Sequence, residues 1–350
     1  MAKIAVITDT HFGIKNSLGI FQDYFFSFFD TVFFPYIDKH DIKTVIHMGD
    51  CLDNRKFVNI DLLRSVRRRV FDELKKRKVD VHLILGNHDL FYRSLSSVNS
   101  PTELFSGYDN VKIYDMPTTV NLHGIPLDFI PWVNKTTEEH TLELLKTTLS
   151  AYAFGHLELE GFQVLRGIKS DKGLSKQLFS RFRKVFTGHF HQKHDDGQIF
   201  YLGTSYDMTF SDLDETKGFH VFDTETGDME FVPNPNKMFF RLIYDDASNN
   251  YSVLPPLDIY ENKYVRLLVK NKTNPYAFER FVDALNLHPP AHINIVDETD
   301  IYLADSTDID QTKDTLQIIN SEIETLTEIT NKDKLKSIMH DLYIASHDIE

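Results

Sequence analysis

Five apolar runs in this chain end in residues of the kind that bind metal ions. Lys3–Thr8 leads into Asp9-Thr10-His11, and Lys43–Met48 into Gly49-Asp50. Val79–Leu85 leads into Gly86-Asn87-His88-Asp89, Ala151–Phe154 into Gly155-His156, and Lys184–Thr187 into Gly188-His189-Phe190-His191. The runs are short and mostly apolar, several of them β-branched, which predicts buried strands. Between the first three lie two helical patterns, Phe21–Ile37 and the charged Asp61–Lys78. Strand–helix alternation predicts an α/β layered sheet. In such sheets ligands bind beyond the carboxyl ends of the strands, so five strand ends can converge on one site. Further strands are predicted at Val111–Tyr114, Ile125–Ile130, Ile199–Leu202 and Phe219–Phe222.

The donor types narrow the chemistry. Asp, Asn and His mix hard oxygens with imidazole nitrogens, a set that suits Mn, Fe or Zn and seldom Ca or Mg alone. Asp9 and His11 stand two apart, as do His189 and His191, so an extended backbone aims each pair to one side. The seven or eight donors in these motifs exceed what one ion needs, which implies two metals. Glycine at 49, 86, 155 and 188 allows the backbone to approach closely where a side chain would block it. Eleven of the 16 histidines fall outside these motifs. Two of them, His47 and His82, lie inside predicted strands and are read as satisfied core or surface residues.

The 350 residues allow about two domains. A single cysteine, Cys51, excludes an intramolecular disulfide framework and fits a reducing compartment. The N-terminus lacks a basic and long apolar stretch, so no signal peptide is expected. The Phe-rich segment is interrupted by Gln22, Asp23, Asp30 and Pro35 and is too short to span a membrane. Its default reading is burial between layers, with a subunit contact as the alternative. The net charge of −14 argues against a nucleic-acid binder if taken alone. The charge is uneven, however: −4 over residues 1–240 and −10 over 241–350.

Texture changes near residue 240. VPNPNK (232–237) reads as a linker. Beyond it, Lys263–Lys270, Tyr276–Leu287 and Ala291–Val296 read as a strand, a helix and a strand. Residues 297–314 are acidic and loop-like, and two amphipathic helical patterns follow, around Leu316–Leu326 and Leu335–Leu342. The expected division is 1–240, 241–300 and 301–350.

The five motifs, Asp9-x-His11, Gly49-Asp50, Gly86-Asn87-His88-Asp89, Gly155-His156 and Gly188-His189-x-His191, resemble those of the calcineurin-like metallophosphoesterase superfamily. The resemblance implies an α/β, four-layer α-β-β-α sandwich and a binuclear centre. By that pattern Asp9, His11 and His191 hold one metal, and Asn87, His156 and His189 the other. Asp50 bridges them, and His88 stays unliganded as the catalytic residue acting on the phosphate.

A narrower resemblance covers about residues 1–240. It rests on ITDTHFGIK (7–15), GDCLDNRK (49–56), LGNHDLFY (85–92), SPTELFSGYDNVKIYDMPTTV (100–120), DFIPW (128–132), GHLELEGF (155–162) and FDTETGDMEFVPN (222–234). These stretches are similar to the SbcD-type DNA double-strand-break repair exonucleases, nearest the T-even-like phage members. That branch implies a small α+β capping domain and C-terminal helices after the nuclease domain. It implies a Mn2+-dependent exonuclease/endonuclease of DNA recombination, replication and repair, with Mg2+ as second choice. It also implies a homodimer within a heterotetramer, completed by an SbcC-like ABC ATPase whose coiled coil the C-terminal helices bind; the other reading of their apolar stripes is that they fold back on the small domain. The expected location is cytoplasmic, away from membranes.

Cellular members usually carry His three residues after the bridging Asp, and this chain has Asp53 there. Asp53 is therefore expected to orient a ligand from behind, and Asp89, beside His88, is given the same supporting place. Arg64, Arg67, Arg68 and Arg69 of the basic helix are candidate DNA-phosphate contacts, with a solvated helix face as the plainer reading. A phosphatase or small-molecule phosphodiesterase on the same scaffold is the alternative function. An inactive scaffold is disfavoured because every ligand position is filled.

Overall fold

The computed structural model describes residues 2–165 and 168–297, with positions 323, 332, 334–336, 338 and 339 beyond them. Apart from those positions, the acidic connector after residue 297 and the two C-terminal helical patterns lie outside the described residues. Twelve strands build the main body. They are β1 (Lys3–Ile7), β2 (Thr44–His47), β3 (Asp80–Ile84), β4 (Val111–Tyr114), β5 (Thr118–Leu122) and β6 (Ile125–Ile130). β7 (Tyr152–His156), β8 (Lys184–Gly188), β9 (His194–Asp195), β10 (Ile199–Tyr201), β11 (Gly218–Asp223) and β12 (Met229–Pro233) follow.

Two six-stranded sheets result, ordered β12-β11-β1-β2-β3-β4 and β9-β10-β8-β7-β6-β5. The centre of each is parallel. Ala5 pairs with Val45, Ile46 with His82, and Leu83 with Ile113 in the first. Phe129 pairs with Phe154, Gly155 with Thr187, and Phe186 with Phe200 in the second. Parallel pairing puts the carboxyl ends of these strands on the same edge of each sheet, which is what gathers the motifs.

Alternation assigns each strand face to a layer. Ile4, Val6, Ile46 and Met48 pack with Leu127, Phe129, Phe154 and Phe186 between the sheets. Ala5, Ile7, Val45 and Leu83 point outward, under helices. Both faces are covered, which is why these strands read as continuous apolar runs. Helical segments Gly19–Phe28, Phe29–Phe33 and Phe34–Lys39 run on from one another. They bury Phe21, Phe25, Phe28, Phe29 and Phe33 against the first sheet's cluster. Segments Ile60–Val66, Arg67–Phe71 and Asp72–Lys76 do the same with Val66, Val70 and Leu74. On the far side, Leu145 of helix Glu138–Thr147 joins Phe179 and Phe182 over Val185 and Tyr201. The four-layer α-β-β-α arrangement is thus present.

The stretch 232–237 is not a free linker. Val232 and Pro233 finish β12, and buried Asn234 donates from its backbone N–H to the Lys217 carbonyl (2.8 Å) and from Nδ2 to the Ser205 carbonyl (3.1 Å). Asn and Pro read as loop residues, but here the Asn side chain and backbone satisfy buried carbonyls and pin the chain.

Contacts divide the described residues into two units, 2–241 with 258–265 and 288–293, and 242–257 with 266–287 and 294–297. Strands Phe239–Asp245, Tyr264–Asn271 and His292–Asp297 form a three-stranded sheet in that order. Within the second unit Tyr244 stacks on Tyr251 (ring centroids 4.5 Å apart) and meets Phe278 and Phe281 edge-on. Among the described residues no helix is long and apolar enough to cross a membrane.

One aromatic contact ties core to site. Phe25 stacks on Tyr206 with centroids 4.0 Å apart, and the Tyr206 hydroxyl donates to the Thr10 carbonyl at 2.6 Å, between Asp9 and His11. Phe25→Ala is predicted to cost about 3–5 kcal/mol of stability, as large-to-small aromatic deletions in cores do. Urea denaturation would measure it, and a loss below about 1 kcal/mol would mean the contact is not part of a close-packed core.

Candidate metal centre

The loops after β1, β2, β3 and β8, with the last residue of β7, bring all seven candidate ligands together. Asp9 Oδ1 lies 3.9 Å from His11 Nε2 and 3.9 Å from His191 Nε2, and those two nitrogens are 3.2 Å apart. His156 Nε2 lies 2.9 Å from Asn87 Oδ1 and 3.3 Å from Asp50 Oδ2, and His189 Nδ1 is 3.0 Å from Asn87 Oδ1. Asp50 Oδ2 is also 3.5 Å from His11 Nε2. Asp50 therefore adjoins both groups.

The donor chemistry fits divalent cations. The His156 Nδ1–H donates to the Met48 carbonyl at 2.8 Å, and the His11 Nδ1–H to the Asp53 carboxylate at 3.1 Å. Each ring's Nε2 then presents a lone pair in the neutral form. Those lone pairs face carboxylate and amide oxygens, which are acceptors too. Acceptors packed around a common centre repel one another unless a cation sits among them. Separations of 2.9–3.9 Å are those of neighbouring ligands on an ion about 2.0–2.2 Å from each.

Protons are the competing cations. Burial opposes charging His11, but the Asp53 hydrogen bond and the charges of Asp50, Asp53 and Asp9 lift it to about 9. His156 is likewise lifted to about 9 against burial, by Asp50, Asp9 and the Met48 carbonyl. Burial and the charge of His11 hold His191 down to about 4. Burial and His156 push His189 well below the ordinary value. Burial works against the Asp50 carboxylate, but His156, His88 and His11 hold its pKa well below the usual range.

Unusual backbone makes this convergence. Asp9, His11, Asp50 and His189 all have positive φ (49°, 39°, 52° and 85°), a region non-glycine residues seldom occupy. Two glycines allow close approach. A Cβ on Gly86 would lie 2.2 Å from Asp50 Oδ1, and one on Gly188 would lie 2.0 Å from Thr8 Oγ1 and 2.6 Å from Asp9 Oδ2. The His189 N–H donates to both Asp9 oxygens at 3.1 Å, joining the two sheets.

Asp53 touches two site histidines. Its carboxylate holds His11, and its carbonyl accepts from His88 Nδ1 at 2.6 Å. His88 also donates its backbone N–H to Asp50 Oδ1 at 2.7 Å, while burial lowers its pKa. Asp89 reaches no ligand side chain. Its carboxylate accepts the backbone N–H groups of Gly86, Asp50 and Cys51 at 2.8–2.9 Å, so it holds the two turns that carry Asp50 and Asn87. Burial and the Asp50 charge raise its pKa to about 7.

The basic helix divides. Arg67 donates to the Leu104 carbonyl, and Arg69 pairs with Asp30 and lies over the Phe26 ring at 4.6 Å. Arg64 and Arg68 are exposed, and no described residue pairs with them. Three neighbours of the site carried no individual signal in the sequence. The Met48 carbonyl is backbone, Thr8 is one of many threonines, and Arg55 reaches the Asn87 carbonyl (2.8 Å) from a loop.

These pKa shifts give a sign. His11 and His156 are raised in the fold, so they stabilise the metal-free protein fully below about 6.5, and that contribution is lost as pH rises through about 9. His189 and His191 are lowered, so their contribution is lost as pH falls below about 6.5. Metal-free Tm should therefore fall as pH rises from about 6.5 towards 9. Saturating Mn2+ should abolish the alkaline fall, with affinity tightening over the same window as protons are displaced. Thermal denaturation with and without Mn2+ across pH 5–9 checks this, and an alkaline limb unchanged by Mn2+ would contradict it.

A family model described as calcineurin-like phosphoesterase matches residues 2–193. Exonuclease subunit 1 of Enterobacteria phage T4 is 37% identical over 209 residues, 60% of this chain and 61% of the relative. The SbcD component of the nuclease SbcCD from Staphylococcus epidermidis (strain ATCC 12228 / FDA PCI 1200) is 23% identical over 313 residues, 79% of this chain and 78% of that one. The chain thus spans a little under two thirds of the phage relative's length. The matched span contains both donor groups and the whole sequence of strand ends that supply them, and the chain belongs to the calcineurin-like phosphoesterase family.

Proposed function

We propose that this chain is the nuclease subunit of a DNA recombination and double-strand-break repair complex, hydrolysing phosphodiester bonds with two divalent metal ions, Mn2+ foremost. The carrying observation is the pair of donor groups meeting at Asp50, with His88 beside them. The relatives, one named an exonuclease and the other a nuclease, support DNA as the substrate. Asp9, His11 and His191 would hold one ion, Asn87, His156 and His189 the other, and Asp50 both. When bound, such a pair supplies charge neutralisation at the phosphoryl group and a nucleophile at neutral pH. Asp53 fixes the rings of His11 and His88, so that His88 Nε2 is left to meet the phosphate or its leaving oxygen.

Arg64 and Arg68 are the pair we assign to DNA phosphates, since Arg67 and Arg69 are already engaged. We assign self-association to the surface where Lys56 lies over Phe91 (5.8 Å), beside exposed Phe57, Ile60 and Tyr92. Sedimentation of Phe57→Asp as a monomer would support that assignment. Residues 315–350 are proposed to dock an SbcC-like ABC ATPase. Asp53 keeps one alternative in view, a phosphatase or small-molecule phosphodiesterase, because some protein phosphatases have Asp there.

Cleavage of linear duplex and single-stranded DNA, measured against p-nitrophenyl phosphate and bis(p-nitrophenyl) phosphate, decides between the readings. The nuclease reading expects Mn2+-dependent cleavage of DNA, and hydrolysis of the small esters alone would overturn it. His88→Ala should keep both metals by elemental analysis and lose about 100-fold or more in rate, the scale of a lost acid–base group. Metal lost together with activity would move His88 into the ligand set. Asp9→Asn should recover partly at high Mn2+ and Asp50→Asn far less, since only the latter weakens both ions. Equal rescue would refute the bridging role. Deleting 315–350 should spare cleavage of short single strands and abolish co-purification with the ATPase. Retained co-purification would refute the docking assignment.

A further inference from the structure

The chain has one tryptophan, and it stands at the metal centre. The Trp132 ring centroid lies 4.9 Å from that of His189 and 6.1 Å from that of His156. Its backbone is held on both sides. The N–H donates to the Leu85 carbonyl at 2.8 Å, the residue before the Gly86–Asp89 turn, and the carbonyl accepts from Thr137 Oγ1 at 3.1 Å. The Trp132 backbone is therefore tied to the segment that leads into Asn87 and His88. Trp132 is nonetheless only partly buried, and no described residue accepts its Nε1–H. Part of this large aromatic packs against the first sheet's core cluster and part borders the two histidines, while some of its surface stays uncovered.

We infer that Trp132 is a stacking platform for an unpaired nucleobase adjoining the phosphate held at the metal centre. Every base has a π face, so an indole at this position binds single-stranded DNA without selecting sequence. The ring sets where the strand lies while the donor groups act on the phosphate, so Trp132 favours nucleic acid over small phosphodiesters. This inference rests on the nuclease reading above.

The test uses the full chain with Mn2+ and three substrates: an oligothymidylate, an otherwise identical oligomer made abasic around the cleaved position, and bis(p-nitrophenyl) phosphate. Trp132→Ala should raise KM for the oligothymidylate roughly 5- to 150-fold, the fold-change of one lost base–aromatic stack. It should shift KM for the abasic oligomer by less than about 3-fold. Trp132→Phe, which keeps a ring, should stay much nearer the unaltered protein on the oligothymidylate. Equal KM shifts on base-containing and abasic strands would overturn the inference. So would a fall in kcat on all three substrates, which would show that Trp132 merely props His189. The underlying reading fails separately: the unaltered protein would then hydrolyse bis(p-nitrophenyl) phosphate but no DNA. Emission from this sole tryptophan gives a second measurement. Oligothymidylate should quench it more than the abasic strand does, and equal quenching would contradict stacking.

Discussion

Mutual repulsion among acceptors is the constraint on which this molecule is organised. His156 Nε2 lies 2.9 Å from Asn87 Oδ1 and 3.3 Å from Asp50 Oδ2, and beside them His11, His191 and Asp9 stand 3.2–3.9 Å apart. Left to themselves these groups would separate, take up protons or admit water. The fold prevents separation by taking the donors from two sheets whose parallel strands end at the same edge. Protonation of His11 and His156 is the local remedy while only protein charges are present. Cations answer the repulsion more completely, because they also satisfy His189 and His191, which burial keeps neutral.

Holding such a cluster needs rigid turns. Asp89 is spent on three backbone N–H groups of the turns bearing Asp50 and Asn87. Tyr206 links the Asp9–His11 loop to the Phe-rich helix through the Thr10 carbonyl, so the aromatic core supports the site directly. Lys217, itself buried, donates to the His191 carbonyl at 2.9 Å and pairs with Asp212 and Glu215. Four positive-φ residues at the centre are tolerated because these contacts over-determine the backbone.

Much of this was legible in the sequence because its signals are chemical and local. Apolar runs closed by Asp, Asn or His marked β1, β2, β3, β7 and β8 together with the residues that cluster at their ends, and glycines 86 and 188 marked the close approaches. Other features left weaker traces. Edge strand β5 (TTVNL) alternates polar residues and lacks the apolar density of a buried strand, and β9 is two residues long. Helix Glu138–Thr147 is short, with only Thr141 and Leu145 fully buried, so its pattern is faint. The 232–237 stretch read as a linker from its Asn and Pro, whereas Asn234 uses its side chain to fasten the chain. The basic helix showed its charge but not its partners, since Asp30 and Leu104 come from distant segments.

The central claim is a pair of divalent ions sharing one carboxylate. Electron paramagnetic resonance of the metal-free protein titrated with Mn2+ addresses it most directly. The account predicts saturation at two ions per chain, with the isolated-ion signal giving way to the multiline spectrum of an exchange-coupled pair as the second ion enters. Saturation at one ion, or two ions that keep independent uncoupled spectra at full occupancy, would contradict it.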